Sequence, residues 1–122
     1  MRALFVDDET EFLELMEKRL ARRNISVASA PDGKTGLAML EAALHSGEMF
    51  QVVVLDVRMP GMDGLETLRR MKEIAPNVPV LLLTGHACVG AAVQGMDIGA
   101  HDYMLKPVAI SELIAKMEEA AG

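Results

Sequence analysis

Five short apolar runs alternate with segments of helical periodicity along the chain, and this alternation limits the folds that it can adopt. The runs cover residues 3–6, 25–28, 52–55, 80–83 and 102–105. The third and fourth runs are apolar at every position, as in strands of a parallel sheet that is covered on both faces. We therefore predict an α/β fold with a doubly wound, five-stranded parallel sheet and five helices.

The segments between the apolar runs carry helix signals. Asp32 and Asp63 are predicted N-caps, and Glu66 follows Asp63 by three residues, as in a capping box. A fourth helix is expected over residues 89–98, with Gly99 as its C-cap. In open sheets of this kind ligands bind beyond the carboxyl ends of the strands, so those ends are the predicted place for a functional site.

Length and composition exclude several classes of protein. The 122 residues fit one domain, predicted to span residues 1–122. Eighteen acidic and twelve basic residues give a net charge of −6, which argues against direct nucleic-acid binding because phosphate backbones require clustered Lys and Arg. We expect neither a signal peptide nor a membrane span, and the single cysteine, Cys88, fits a reducing cytoplasm.

Polar side chains suited to one reaction stand at four of the five predicted strand ends. They are the acidic run Asp-Asp-Glu at residues 7–9, then Asp56, Thr84 and Lys106. Clustered carboxylates repel one another, and a hard cation such as Mg²⁺ relieves that repulsion through oxygen ligands. Phosphoryl transfer depends mainly on positioning and charge stabilisation, so this set is predicted to let a carboxylate accept a phosphoryl group.

The stretch from Asp56 to Gly64, with the sequence D-V-R-M-P-G-M-D-G, is the most specific signal in the chain. It resembles the loop after the phosphorylated aspartate in receiver domains of two-component response regulators. The other motifs stand in the order of that family: Asp-Asp after the first strand, Thr-Gly after the fourth, and Tyr103 three residues before Lys106. The resemblance covers essentially the whole chain. It is greatest to receivers of nitrogen-regulator-type transcription factors, and it implies a flavodoxin-like fold with strand order 2-1-3-4-5.

The resemblance also implies roles for individual residues. Asp56 is the expected phosphoacceptor, and Lys106 is expected to pair with the phosphoryl oxygens. Thr84 and Tyr103 resemble the switch pair, in which the hydroxyl binds the phosphoryl group and the ring turns inward. The peptide bond before Pro107 is expected to be cis.

A metal site and protein partners are implied by the same resemblance. Asp8 and Asp56 are the expected direct Mg²⁺ ligands, Asp7 is expected to act through water, and the backbone carbonyl of Arg58 is expected to complete the set. The expected partner is a sensor histidine kinase or a phosphotransfer protein. The surface of helix four, strand five and helix five is expected to control an output and is a candidate homodimer interface.

Three other functions use the same kind of fold. An Mg²⁺-dependent aspartyl phosphohydrolase usually has a second acid two residues after its nucleophile, where this chain has Arg58. A flavin-binding module needs a hydroxyl-rich phosphate loop after the first strand, where the acidic run 7–9 would repel phosphate. A non-phosphorylated protein-interaction module does not require the complete set of site residues. We therefore expect a signalling domain that catalyses its own phosphorylation and dephosphorylation, not a metabolic enzyme.

Overall fold

The computed structural model describes residues 1–58 and 63–122, in which strands and helices alternate. Their bounds are β1 Arg2–Val6, α1 Thr10–Ala21, β2 Ser26–Ala30, α2 Gly33–Ser46, β3 Val52–Leu55, α3 Gly64–Ile74, β4 Val80–Thr84, α4 Val89–Ile98, β5 Asp102–Leu105 and α5 Ile110–Ala121. A 3₁₀ turn, His86–Cys88, leads into α4. No helix in the described part of the chain has the length and apolarity needed to cross a membrane.

The five strands form one parallel sheet in the order β2-β1-β3-β4-β5, which confirms the predicted doubly wound α/β fold. Successive residues of a strand point to opposite faces of the sheet. In β1, Ala3 and Phe5 pack in a cluster with α1 and α5, whereas Leu4 and Val6 pack in a second cluster with α2, α3 and α4. Because apolar layers cover both faces, the polar side chains that belong to the central strands stand at the carboxyl ends of those strands, as Asp7, Asp56 and Thr84 do.

The second strand differs from the prediction. It begins at Ser26 and runs to Ala30, two residues beyond the apolar run on which the prediction rested. Its length follows from its neighbour, because every residue of β1 from Arg2 to Val6 is paired with a residue of β2. Ile25 lies before the strand, where its backbone N–H donates to a carbonyl at the end of α1.

The helix caps follow the prediction at Asp32, Asp63 and Gly99, but not at Glu66. Asp32 accepts a hydrogen bond from the backbone N–H of Thr35, and Asp63 accepts one from that of Leu65. Gly99 has a φ of 124° directly after α4, a conformation that favours glycine. The predicted capping box is wrong. The Glu66 carboxylate binds guanidinium groups one turn further along α3, those of Arg69 and Arg70.

Candidate functional site

The acidic residues of the site are fixed by the backbone of the sheet. The N–H of Asp7 donates to the carbonyl of Ala30, and the N–H of Asp56 donates to the carbonyl of Val6, at 3.0 and 2.9 Å. Both bonds continue the parallel ladder by one residue beyond the strands. Asp7 and Asp56 therefore stand side by side at the carboxyl edge, as their positions after neighbouring strands predict.

Three carboxylates meet at this edge. Asp7, Asp8 and Asp56 each offer an oxygen, and these oxygens lie within 4.8 Å of one another. Asp7 and Asp56 are only 3% and 6% exposed, whereas Asp8 is exposed to solvent. Oxygen donors at this spacing, with one side open, fit a hard divalent cation that keeps part of its water shell. They match the carboxylates predicted for Mg²⁺.

The two oxygens of Asp56 have different surroundings. Oδ1 accepts hydrogen bonds from the Thr84 hydroxyl at 2.9 Å and from the backbone N–H of Arg58 at 3.0 Å. Oδ2 lies 3.6 Å from the Lys106 ammonium and accepts no hydrogen bond from the residues that the structure describes. One oxygen thus holds the carboxylate in place, while the other has lone pairs available for reaction.

Lys106 carries the ammonium of the site, and its own backbone N–H is bonded to the carbonyl of Thr84 at 2.8 Å. Its Nζ donates to Asp7 Oδ2 at 2.6 Å and to Glu9 Oε1 at 2.9 Å. Its side chain is 17% exposed. Lys106 therefore lies beside Asp56, as predicted, but its direct hydrogen bonds go to the acidic run after β1.

The pKa values of Asp7 and Lys106 are both raised, for different reasons. Burial raises the pKa of Asp7, an effect that exceeds the opposing hydrogen bonds from Lys106 and from the backbone N–H of Glu9. Burial acts to lower the pKa of Lys106, but the hydrogen bonds to Asp7 and Glu9 outweigh it and raise that pKa. The shift at Asp7 thus reflects mainly the loss of solvent around its carboxylate, whereas the shift at Lys106 reflects its two acidic partners.

The predicted switch residues lie on one face of the sheet. Thr84 is fully buried, and the half-buried Tyr103 packs against the apolar cluster that includes α4. In the register of β4 and β5, Leu82 is paired with Tyr103 and Thr84 with Leu105. Alternate residues of a strand share a face, and Leu82 and Thr84 are two residues apart. The Tyr103 ring therefore lies on the same side of the sheet as Thr84.

The peptide bond between Lys106 and Pro107 is cis, as the resemblance implies. Pro107 lies on the wall of a cleft of about 980 Å³ that opens over the site. Its lining includes the acidic residues Asp8, Glu9 and Asp56 together with Thr84 and Lys106, and it also includes Phe12 of α1 and Val108, which precedes α5. Residues of the acidic cluster and Lys106 thus line a cleft on the protein surface.

The loop motif after Asp56 is described at its two ends, and the prediction for residues 59–62 lies outside the described residues. At its far end, a Cβ on Gly64 would collide with the backbone of Val57. Glycine is thus required there because α3 begins against the segment that carries Asp56. The predicted role of the Arg58 carbonyl as a metal ligand stays a prediction.

Two residues near the Lys106 ammonium, Glu9 and Phe12, were given no role by the prediction. Glu9 binds it directly, and the Phe12 ring lies under it, with 4.5 Å between Nζ and the ring centroid. Glu9 belongs to the acidic run, so its position after β1 was an available signal. Phe12 gave no such signal, because an aromatic residue in the first turns of a helix usually serves packing alone.

Comparison with known proteins identifies the family. Residues 3–118 match the model of the response regulator receiver domain. The chain is 39% identical over 117 residues to the transcriptional regulatory protein TctD of Salmonella typhimurium, an alignment that covers 96% of this chain and 50% of TctD. It is 38% identical over 117 residues to the response regulator MprA of Mycobacterium avium, covering 96% of this chain and 49% of MprA. The chain thus spans about half the length of these curated relatives.

Solved structures give the same result. A response regulator receiver domain protein of Clostridium thermocellum superposes with a TM-score of 0.88 at 30% identity, covering 98% of this chain and 93% of the other. The receiver domain of NtrX from Brucella abortus superposes with a TM-score of 0.85, also at 30% identity, covering 98% and 97%. Together with the acidic edge of the sheet, these similarities confirm the predicted family: the chain belongs to the response regulator receiver domains.

Proposed function

We propose that this receiver domain accepts a phosphoryl group on Asp56 from the phosphohistidine of a sensor histidine kinase or a phosphotransfer protein. The observation that carries the proposal is the asymmetric Asp56 carboxylate. Thr84 and the Arg58 N–H hold Oδ1, while Oδ2 lies 3.6 Å from the Lys106 ammonium, and Asp56 lines the cleft. A carboxylate needs this arrangement to attack phosphorus, because it must be fixed in place and its partner's charge must be neutralised.

The transfer step follows from these positions. Oδ2 of Asp56 attacks the phosphorus atom in line with the bond to the donor imidazole, the P–N bond breaks, and its electron pair returns to the imidazole. Lys106 is then near enough to bind one oxygen of the transferred phosphoryl group. The Thr84 hydroxyl can turn away from Asp56 Oδ1 and donate to a second phosphoryl oxygen. Asp7, Asp8, Asp56 and the Arg58 carbonyl would hold Mg²⁺, which when bound supplies charge neutralisation for the phosphoryl oxygens.

The proposed consequence of phosphorylation is a change on the surface of α4, β5 and α5. Once the Thr84 hydroxyl moves to the phosphoryl group, the space beside it is available to the Tyr103 ring on the same face of the sheet. One local change of charge thereby biases a two-state element. An output domain, or a second copy of the chain in a homodimer, would read this surface, and the domain itself is not expected to bind nucleic acid.

The proposal is tested by labelling with a small phosphodonor. The wild-type chain, incubated with acetyl phosphate and Mg²⁺, should gain one phosphoryl group by intact mass, and Asp56→Asn should gain none. Asp97→Asn is the matched control, because it removes the same charge from an exposed position on α4. Full labelling of Asp56→Asn, or no labelling of the wild type, would overturn the assignment.

A further inference from the structure

The Lys106 ammonium is bound away from the proposed phosphoacceptor. Its distances to Asp7 and Glu9, 2.6 and 2.9 Å, are those of direct charge-assisted hydrogen bonds, whereas Asp56 Oδ2 is 3.6 Å away. A phosphoryl group on Asp56 needs this same ammonium. The acids after β1 and the phosphoryl group would therefore compete for Lys106.

Glu9 and Phe12 form the part of this binding arrangement that α1 contributes. Glu9 is the N-cap residue of α1, yet its carboxylate makes no capping hydrogen bond and goes to Lys106 instead. Phe12 follows three residues later, so both side chains lie on the same side of the helix. The ring lies 4.5 Å from Nζ, within the range of a cation–π interaction.

Asp7 and Glu9 differ in how they can respond. The Asp7 side chain is only 4% exposed and belongs to the acidic cluster proposed for Mg²⁺. The Glu9 side chain is 62% exposed and lies at the rim, so it can turn away without leaving a buried charge unpaired. Glu9 is thus the residue that can release Lys106 at low cost.

We propose that Glu9, assisted by Phe12, is a positioning residue that holds Lys106 back from Asp56 in the unphosphorylated domain and so restrains phosphorylation. The inference rests on the proposed function of Asp56. Loss of the Glu9 carboxylate leaves Lys106 with one acidic partner fewer and lowers the cost of moving its ammonium to the phosphoryl oxygens. Replacement of Glu9 should accordingly speed phosphorylation.

The rate of phosphorylation by acetyl phosphate with Mg²⁺ provides the test. Glu9→Gln should raise the rate about fivefold, the upper range for a partly exposed ion pair. Glu11→Gln is the matched control: it removes an exposed charge from the first turn of the same helix, and Glu11 forms no side-chain hydrogen bond within residues 1–58 and 63–122. Its rate should stay within about twofold of wild type, the change expected for an unpaired surface charge.

A double-mutant cycle separates positioning from a general loss of negative charge. In a Lys106→Met background, Glu9→Gln should no longer change the rate, because the group that it releases is absent. In parallel, the side-chain NMR signal of Lys106 should shift in Glu9→Gln and in Phe12→Leu, but not in Glu11→Gln. This signal reports the position of the ammonium independently of phosphorylation.

The outcomes are distinct. An unchanged rate in Glu9→Gln, or an equal gain in the Lys106→Met background, would overturn the role of Glu9 while leaving Asp56 as the acceptor. A wild-type chain that takes up no phosphoryl group would overturn the proposed function itself. An unshifted Lys106 signal in Glu9→Gln would show that Glu9 does not hold the ammonium.

Discussion

At the residue scale, several carboxylates of the site lie close to a single cationic group, the Lys106 ammonium. Asp7, Glu9 and Asp56 all lie within 4 Å of the one ammonium of Lys106, and Asp8 stands beside them without contacting it in the described structure. Asp8 is exposed, so a metal ion that enters from solvent can reach its carboxylate directly. Of the three clustered aspartates it is also the one whose replacement should disturb the protein interior least.

Mg²⁺ is therefore expected to stabilise the fold, and Asp8 to be needed for this effect. A ligand present at ten times its Kd stabilises the native state by about 1.4 kcal/mol. The wild type should show this gain in thermal unfolding with added Mg²⁺, and Asp8→Ala should show clearly less. Glu11→Ala, which removes an exposed acid of α1, serves as the control and should behave like the wild type.

The measurement is Tm as a function of Mg²⁺ concentration in the three proteins. Because removing any acid relieves repulsion, the quantity to compare is the rise with Mg²⁺ in each protein and not the starting Tm. An equal rise in wild type and Asp8→Ala would exclude Asp8 from the metal site.

At the element scale, two glycines at helix starts have opposite meanings. Gly64 begins α3, where a Cβ would collide with the backbone of Val57. Gly90 lies in the first turn of α4, where a Cβ would meet no atom within 4 Å. The first glycine is set by packing against the segment that carries Asp56, whereas the second is a weak point in a helix.

Substitution by alanine should therefore change stability in opposite directions at the two positions. Gly64→Ala should lower the free energy of unfolding by about 1–3 kcal/mol, because the added methyl forces backbone atoms apart. Gly90→Ala should raise it by about 0.5 kcal/mol, because alanine favours the helix and finds space there. Urea unfolding measures both, and a loss of stability in Gly90→Ala as large as that in Gly64→Ala would contradict the packing argument.

At the scale of the whole molecule, the proposed phosphoacceptor site lies next to a surface, formed by α4, β5 and α5, whose α4 part has few stabilising features of its own. Helix α4 begins at Val89 without a side-chain cap, contains Gly90 and Gly95, and exposes the apolar side chains of Val93 and Met96. On the other side of β5, Lys116 of α5 binds Asp102, and this hydrogen bond lowers the pKa of that carboxyl. Within the described residues, a side-chain ion pair thus holds α5 to β5, whereas α4 has no side-chain cap at its start.

Beryllofluoride, a phosphoryl mimic, should consequently shift amide NMR signals well beyond the site. We expect changes across residues 86–106, including Tyr103, because the movement of the Thr84 hydroxyl alters packing along that face of the sheet. The amides of α2 provide an internal reference and should stay nearly constant. Asp56→Asn should show no such changes, and wild-type shifts confined to the residues that line the cleft would exclude the proposed switch.

Much of this architecture was readable from local sequence. The strand predictions over residues 52–55 and 102–105 match the exact limits of β3 and β5, and the predicted fourth helix with Gly99 after it matches α4, because short apolar runs and helix caps are local properties. The motif residues Asp7, Asp56 and Thr84 were placed at one edge because parallel strands share their carboxyl ends. Family resemblance added the roles that position alone does not assign.

The tertiary structure decided what depends on distant partners. The limits of β2 came from pairing with β1 and not from its own apolarity, since both Ser26 and Ser29 lie in the strand. Lys106 is bound by Asp7 and Glu9, acids 99 and 97 residues away in the chain, and no local pattern ranks these above Asp56. Such choices rest on differences of about 1 Å between competing oxygens, which only the packed sheet and α1 determine together.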